Sequence, residues 1–297
     1  MPRSMFSAAA FTLAALAVAA PLALADTVLH CGLLLSTPGE PPKAEMSVHV
    51  DDVGRIVEVL EGYREIAGAE TIDLSDRFVL PGLIDCHTHI THEMAKGRRL
   101  RDAVLASEAD AAINATVYAK RTLLAGFTTI RNVGSGGDVA FALRDAIAEG
   151  LVPGPRILAA GRSITPTGGH GDSTHGFREG LFEVPGAYQG VADGPDECRK
   201  AVRAQVKRGA DVIKITATGG VLSHTNAGTG QQLFDDELTA IVEAAHALGR
   251  KVAAHAHGVE GINAALRAGV DSIEHGSFLD EESVKLFKAS GAYVVPT

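Results

Sequence analysis

"RGADVIKITATGG", residues 208–220, is the stretch on which the fold turns. A helical stretch ends at Gly209, an unbroken apolar strand runs from Val212, and a glycine-rich loop follows at Thr218-Gly219-Gly220. The same junction recurs in "AGFTTIRNV" (125–133), "LGRKVAAHAHG" (248–258), "AGVDSIEHG" (268–276) and "SGAYVVPT" (290–297). Glycine just past a helix C-terminus takes the left-handed conformation without a Cβ clash, so Gly126, Gly209, Gly249, Gly269 and Gly291 read as helix ends. Between them lie amphipathic stretches such as "DDELTAIVEAAHALG" (235–249). There Leu238, Ile241, Val242 and Ala245 share one face, and Asp235 or Asp236 stands where an N-cap is needed. Apolar strands separated by helices pair in parallel and are covered on both faces. "GLIDCHTHI", "FTTIRNV", "RILAAG", "DVIKITA", "KVAAHAH", "DSIEH" and "YVVPT" make seven such strands. A doubly wound sheet would also accommodate them. Seven regular units with no dinucleotide glycine fingerprint favour an α/β fold of the (β/α)8 TIM-barrel type over residues 81–297, with its eighth strand missing before Thr297.

Residues 26–80 have a different texture. "TVLHCGLLL", "MSVHV", "RIVEVL" and "TIDLSDRFVL" read as short strands, separated by the loop "STPGEPPK" and the turn "DDVG". Met46, Val48 and Val50 alternate with Ser47 and His49, the period of a half-buried strand. The expectation is a small, incomplete β-sandwich module, marginal as a domain by size alone. Ahead of it, Arg3, the apolar run "SAAAFTLAALAVAAPLALA" and the small-x-small triplet Ala23-Leu24-Ala25 form a signal peptide over residues 1–25. A membrane anchor is the alternative, but the apolar run is of borderline length for a span. The expected mature protein starts at Asp26, is periplasmic or secreted, and has no membrane span after processing.

Composition narrows the function. The chain has 297 residues, 46% of them hydrophobic, which is ample for a large core. A formal net charge of -9 and the lack of a Lys/Arg-rich run argue against a nucleic-acid partner. Cys31, Cys86 and Cys198 are widely spaced with no CxxC, so neither a disulfide framework nor a thiolate metal site is encoded.

The chemistry lies in polar residues that apolar strands should not carry. His87 and His89 close the first barrel strand, His255 and His257 the fifth, and His275 the sixth. In a barrel of this type the active site forms at those C-terminal ends. Side chains two apart on a strand point the same way, so His87 and His89 form a ready metal chelate, and imidazole suits zinc. Lys214, between Ile213 and Ile215, is costly unless paired or neutralised. Burial would lower its pKa and favour the free amine. That amine could take up carbon dioxide as a carbamate and bridge two metals, or else reach the barrel mouth or pair with Asp211.

In combination, "HTH", "VIKI", "AHAHG" and "IEHG" on successive strands resemble the amidohydrolase superfamily of metal-dependent hydrolases, in its prolidase-like, imidazolonepropionase-related branch. The resemblance covers the chain from about Asp26 onward. It implies two divalent ions, zinc by preference. His87 and His89 would hold the first, His255 and His275 the second, with carboxylated Lys214 bridging both. His257 competes with His255 for the ligand role and is assigned to substrate contact or packing. The loops "TPTGGHGD" (165–172) and "TGG" (218–220) resemble substrate-contact loops, which marks His170, either to polarise the scissile carbonyl or to hold a carboxylate, and Gly220. His175 and His224 are weaker candidates, and His246, inside a helix, reads as structural.

The implied activity is hydrolysis of an amide or peptide C–N bond by a hydroxide activated between the two metals. The implied substrate is a small molecule: a dipeptide, an Xaa-Pro-like compound or an N-acyl amino acid. A homo-oligomer is compatible with this. The family's general-base aspartate would lie beyond Thr297, so a catalytically inactive metal-binding fragment is one alternative. A mononuclear deaminase of the same superfamily is another, but its glutamate three residues after the strand-5 histidine is Gly258 here.

Overall fold

A computed structural model describes residues 25–93, 104–221 and 228–297. The signal-peptide reading of residues 1–25, Ala25 apart, and the reading of His224 fall outside the described residues. No helix among the described residues is long and apolar enough to cross a membrane.

The chain divides into two compact units, Met1–Pro81 and Gly82–Thr297. The first contains β1 (Thr27–Leu34), β2 (Lys43–Val50), β3 (Ile56–Glu61) and β4 (Glu70–Val79). They form a single sheet in the order β3-β2-β1-β4, antiparallel except for the parallel pair β1 and β4. The expected sandwich needs a second sheet facing this one, and the described residues of the unit supply only one. Its small core is Cys31, Leu34, Met46 and Val48. β2 also departs from the half-buried pattern, because Ser47 and His49 are buried beside Met46 and Val48. Both find polar partners, as buried polar groups must. Ser47 Oγ donates to the Gly62 carbonyl and accepts from the Arg64 N–H, each at 2.8 Å, and His49 Nε2 lies 2.7 Å from Asp26 Oδ2.

The second unit alternates strands and helices. Its strands are β5 (Leu83–Thr88), β6 (Phe127–Asn132), β7 (Arg156–Ala159), β8 (Val212–Thr216), β9 (Lys251–Ala256), β10 (Ser272–His275) and β11 (Tyr293–Val295). Its helices are α1 (Glu108–Leu124), α2 (Val139–Ala148), α3 (Gly194–Lys207), α4 (Asp235–Ala247), α5 (Val259–Ala268) and α6 (Glu281–Ser290). All strand pairs are parallel, in the sets β5-β6-β7 and β8-β9-β10-β11. Ile164, just past β7, joins the sets: its N–H donates to the Lys214 carbonyl at 2.8 Å and its carbonyl accepts from Thr216 N–H at 3.0 Å. Seven parallel strands thus stand in chain order along one arc.

The arc is strongly curved, since Arg131 on β6 crosses its interior to reach Ser272 and Glu274 on β10. It does not close. Among the described residues no strand pairs the outer edges of β5 and β11, and Ile84 and Tyr293 on those edges are 65% and 72% exposed. Strand alternation separates the two sides of the arc. Ile213, Ile215, Val252, Ala254 and Ile273 join the core shared with the helices, whereas Val212 and Ala253 pack with Ala160 in a separate cluster. α4 buries Leu238, Ile241, Val242 and Ala245 as its periodicity requires. Its N-cap is Phe234 rather than an aspartate, because Glu237 Oε2 accepts the Phe234 N–H at 2.8 Å.

Candidate active site

A cavity of about 810 Å3 opens at the C-terminal ends of these strands, and His87, His89, Lys214, His255, His257 and His275 all line it. The rings of His87 and His275 are 4.8 Å apart by their centroids, those of His255 and His275 4.6 Å, and those of His257 and His275 4.7 Å. His255, His257 and His275 each offer a nitrogen within 4.8 Å of the others. This geometry does not separate His257 from His255.

The rings at the end of β5 are held by defined partners. His87 Nδ1 lies 2.7 Å from Glu274 Oε2, and His89 Nδ1 lies 2.9 Å from the Gly134 carbonyl oxygen. A carboxylate and a carbonyl only accept, so in both rings Nδ1 carries a proton and Nε2 is the nitrogen left for another partner. Desolvation of the ring is the main cause that lowers His89 to about 4, against the opposing bond to Gly134, although the residue as a whole remains exposed. Burial and then the neighbouring His87 and Lys214 push His275 down to about 3. His255 is pushed far below the ordinary histidine range by burial, then by His170 and Lys214. These imidazoles are therefore neutral at pH 7, the form that binds metal.

Lys214 is 3% exposed. Burial lowers its pKa to about 7, with Glu274 opposing and Arg131 reinforcing the shift. The alternative pairing with Asp211 is not made. Asp211 Oδ2 instead accepts from Arg144 Nη1 at 2.8 Å and from the Ala159 N–H at 2.9 Å, at the other end of β8.

Glu274 organises the interior and was missed in the sequence, as was Arg131. The Glu274 side chain is fully buried. Oε1 accepts from Arg131 Nη2 at 2.6 Å and from Ser272 Oγ at 2.7 Å, while Oε2 holds His87. Burial alone would raise this carboxyl, but the His87 hydrogen bond, the Lys214 and Arg131 charges and the Ser272 hydrogen bond outweigh it and hold it at about 2. The signal that exposed Lys214, a charge inside an apolar strand, was equally present in "TTIRNV" and "SIEHG". His275 follows Glu274 directly and has φ of 73°, in the left-handed region. Regular alternation would send these neighbours to opposite faces, and the left-handed backbone turns His275 back to the cavity.

The remaining candidates divide. His170 lines the same cavity and stacks on His255 at 4.2 Å. Gly220 is what permits this, because a Cβ there would stand 2.4 Å from the His170 ring. His257 Nδ1 lies 2.8 Å from Ser277 Oγ. His92, another residue the sequence did not single out, lines the cavity with its ring 5.5 Å from that of His89. His175 does not line the cavity, and His246, on α4, pairs through Nε2 with Asp271 Oδ2 at 2.9 Å just ahead of β10.

The amidohydrolase family model matches residues 78–297. The chain is 33% identical over 291 residues to the ochratoxinase of Aspergillus niger, an alignment covering 91% of this chain and 58% of that protein. A solved Xaa-Pro dipeptidase with methionine bound in its active site shares 43% identity and a TM-score of 0.86, over 91% of this chain and 66% of that one. A solved prolidase complexed with N-methylphosphonate-L-proline shares 37% identity and a TM-score of 0.82, over 92% of this chain and 66% of that one. The chain thus spans less than two thirds of the length of these relatives.

Proposed function

The chain belongs to the amidohydrolase family, and on that premise we propose that the protein hydrolyses an amide or peptide C–N bond of a dipeptide, an Xaa-Pro-like compound or an N-acyl amino acid. One observation carries the reading. Histidines from β5, β9 and β10 converge on one cavity around Lys214, an amine whose burial leaves it close to neutral. In this reading His87 and His89 would hold one divalent ion and His255 and His275 a second, and Lys214, as its carbamate, would supply an oxygen donor to both. Carbamate formation joins the free amine nitrogen to the carbon of carbon dioxide and releases one proton, replacing an expensive buried cation by an anionic oxygen donor. The donor set fits such ions: the His89, His255 and His275 rings are neutral, and the carboxylate and carbonyl that orient His87 and His89 are the usual outer partners of metal-bound imidazole. An imidazole-rich set suits zinc. When bound, two ions would supply Lewis acidity at the scissile carbonyl and lower the pKa of a water molecule to near neutrality.

The chain's own residues do the rest. Glu274 and the Gly134 carbonyl fix the two β5 rings, and the His87 hydrogen bond together with the Lys214 and Arg131 charges keeps Glu274 ionised. His170, seated over Gly220, directs an imidazole at the carbonyl oxygen of the substrate, and His257 flanks the substrate from the end of β9. The methionine and proline-phosphonate ligands of the two solved relatives are amino-acid-like, which supports substrates of this class. A deaminase is the poorer fit, since a Cβ at Gly258 would stand 2.3 Å from the Thr229 carbonyl oxygen and leaves no room for a glutamate. Export with processing before Asp26 is part of the proposal, and N-terminal sequencing of exported protein that returned Met1 would reject it. The main test is to screen the full-length protein against dipeptides and N-acyl amino acids with metal content measured in parallel. Two zinc ions per chain with no hydrolysis of any such amide would refute the reading.

A further inference from the structure

The cavity has a marked charge asymmetry. The chain carries a formal net charge of -9, yet no aspartate or glutamate is among the described residues that line this cavity. Lys214 stands at its floor among the histidines. A second cation, Arg162, lines it just past β7, and it is only partly exposed. Among the described residues its guanidinium makes no ion pair and no hydrogen bond; the recorded bond of this residue is from its backbone N–H to Gln205 Oε1 at 3.1 Å. The acids whose charges reach it are Glu108 and Asp138. Asp138 is already taken by Arg208 Nη2 at 2.6 Å, and the Glu108 carboxylate lies against Gly137. Beside Arg162 on the neighbouring strand end stands Ser135, tied to it by the Ser135 N–H to Gly161 carbonyl bond of 2.9 Å. Ser135 also lines the cavity, and its Oγ is buried just behind that lining with no hydrogen-bond partner. A partly buried guanidinium and a buried hydroxyl, both lacking partners on one wall, are groups that a ligand would have to satisfy.

Resting on the amide-hydrolase reading, we infer that Arg162 and Ser135 form a carboxylate-binding subsite that selects substrates whose leaving amino acid has a free C-terminal carboxylate. The planar fork of Arg162 donates two hydrogen bonds to such a group, and Ser135 Oγ donates a third. The subsite sets which amides are cleaved and takes no part in bond breaking.

The test uses full-length, zinc-loaded protein and two measurements. The first is the ratio of kcat/KM for dipeptides over the same dipeptides capped as C-terminal amides. The wild type should prefer the free acids, and Arg162→Met should cut that preference roughly 100-fold, the scale of losing hydrogen bonds to a charged group. Ser135→Ala should reduce it roughly tenfold. The second is calorimetric binding of L-methionine and L-proline against L-methioninamide and L-prolinamide, which needs no turnover. Tight acids, weak amides and loss of the difference in Arg162→Met would uphold the subsite even if no amide were cleaved, in which case the hydrolase reading alone fails. Equal binding of acid and amide by the wild type, or an undiminished preference in Arg162→Met, would overturn the proposal. Should Arg162→Met melt below the wild type or lose zinc, the same ratios are taken on Arg162→Gln and Ser135→Ala, and an unchanged preference in both has the same force.

Discussion

Replacing Lys214 by methionine should make the metal-free protein more stable, although the same change removes a proposed metal bridge. Lys214 is 3% exposed, and its pKa falls from 10.5 to about 7. At 1.36 kcal/mol per unit, the folded state penalises the protonated amine by about 5 kcal/mol. A folded pKa below the unfolded one means that the unfolded chain binds the proton more tightly. The penalty is therefore nearly full at and below pH 7, shrinks as pH rises towards 10.5, and vanishes above it. Methionine has a similar apolar stem and no ammonium, so Lys214→Met should gain about 3–5 kcal/mol near pH 7, in line with other buried charges exchanged for apolar groups. The assay is urea unfolding of both proteins in chelator at about pH 6.5, 8 and 9.5, where the gap should close by about 1.4 kcal/mol per pH unit above the folded pKa. Other lysines titrate alike in both proteins and cancel from the difference. Restoring zinc should reverse the order, with the wild type gaining stability and the variant binding less metal. A gap that is absent, or constant across this pH range, would show that Lys214 is not a desolvated amine, and the carbamate argument would fall with it.

Glu274→Gln keeps the shape of the side chain but removes the charge that holds His87 and faces Arg131; zinc affinity by competitive titration should fall about 10–100-fold, and unfolding in denaturant should show a loss of about 3–5 kcal/mol. His255→Asn should weaken zinc binding more than His257→Asn does, by more than the roughly 100-fold ceiling of outer partners, and the reverse order would assign the ligand role to His257. Gly220→Ala places a methyl 2.4 Å from the His170 ring, so it should lower kcat/KM on the full-length enzyme by about 100-fold through misplacement of His170. Its metal content should remain at the wild-type level, and loss of zinc in this variant would count against a purely substrate-side role.

The barrel-type unit of the chain is legible because its grammar is local. Each helix ends on a glycine and each strand starts within a few residues, so periodicity and helix stops suffice to count seven strands in order. The module before it is less legible. Four strands can be read from alternation, but whether they make one sheet or two depends on which strands meet at long range. Here β1 lies between β2 and β4 in one mixed sheet. Ser47 and His49 look solvent-facing because they are polar, yet both are buried by partners at Gly62, Arg64 and Asp26 that no local pattern announces.

The site shows the same division. His87, His89, Lys214, His255 and His275 can be found from chain order, since each is a polar residue at or near the end of an apolar strand. Glu274 and Arg131 obey the same rule but are harder to interpret, because their partners lie across the interior rather than along the chain. Glu274 is joined to His87 from 187 residues away and to Arg131 from 143. The pair Glu274-His275 sets a further limit on parity arguments. Alternation allows only one of two adjacent residues to face the interior. Ser272 and Glu274 take that face and Ile273 the helical one, so parity would place His275 with Ile273, away from the other histidines. A φ of 73° at His275, followed by 60° at Gly276, breaks the alternation at the last residue of β10. Left-handed backbone at a non-glycine residue costs on the order of 1–2 kcal/mol, and such strain persists where the surroundings over-determine it. Here they do: β10 is paired on both sides, Glu274 is locked by three partners, and the His275 ring lies among those of His87, His255 and His257. The strained residue lets one strand deliver both the carboxylate that orients His87 and an imidazole to the same cavity, which a regular strand end could not do.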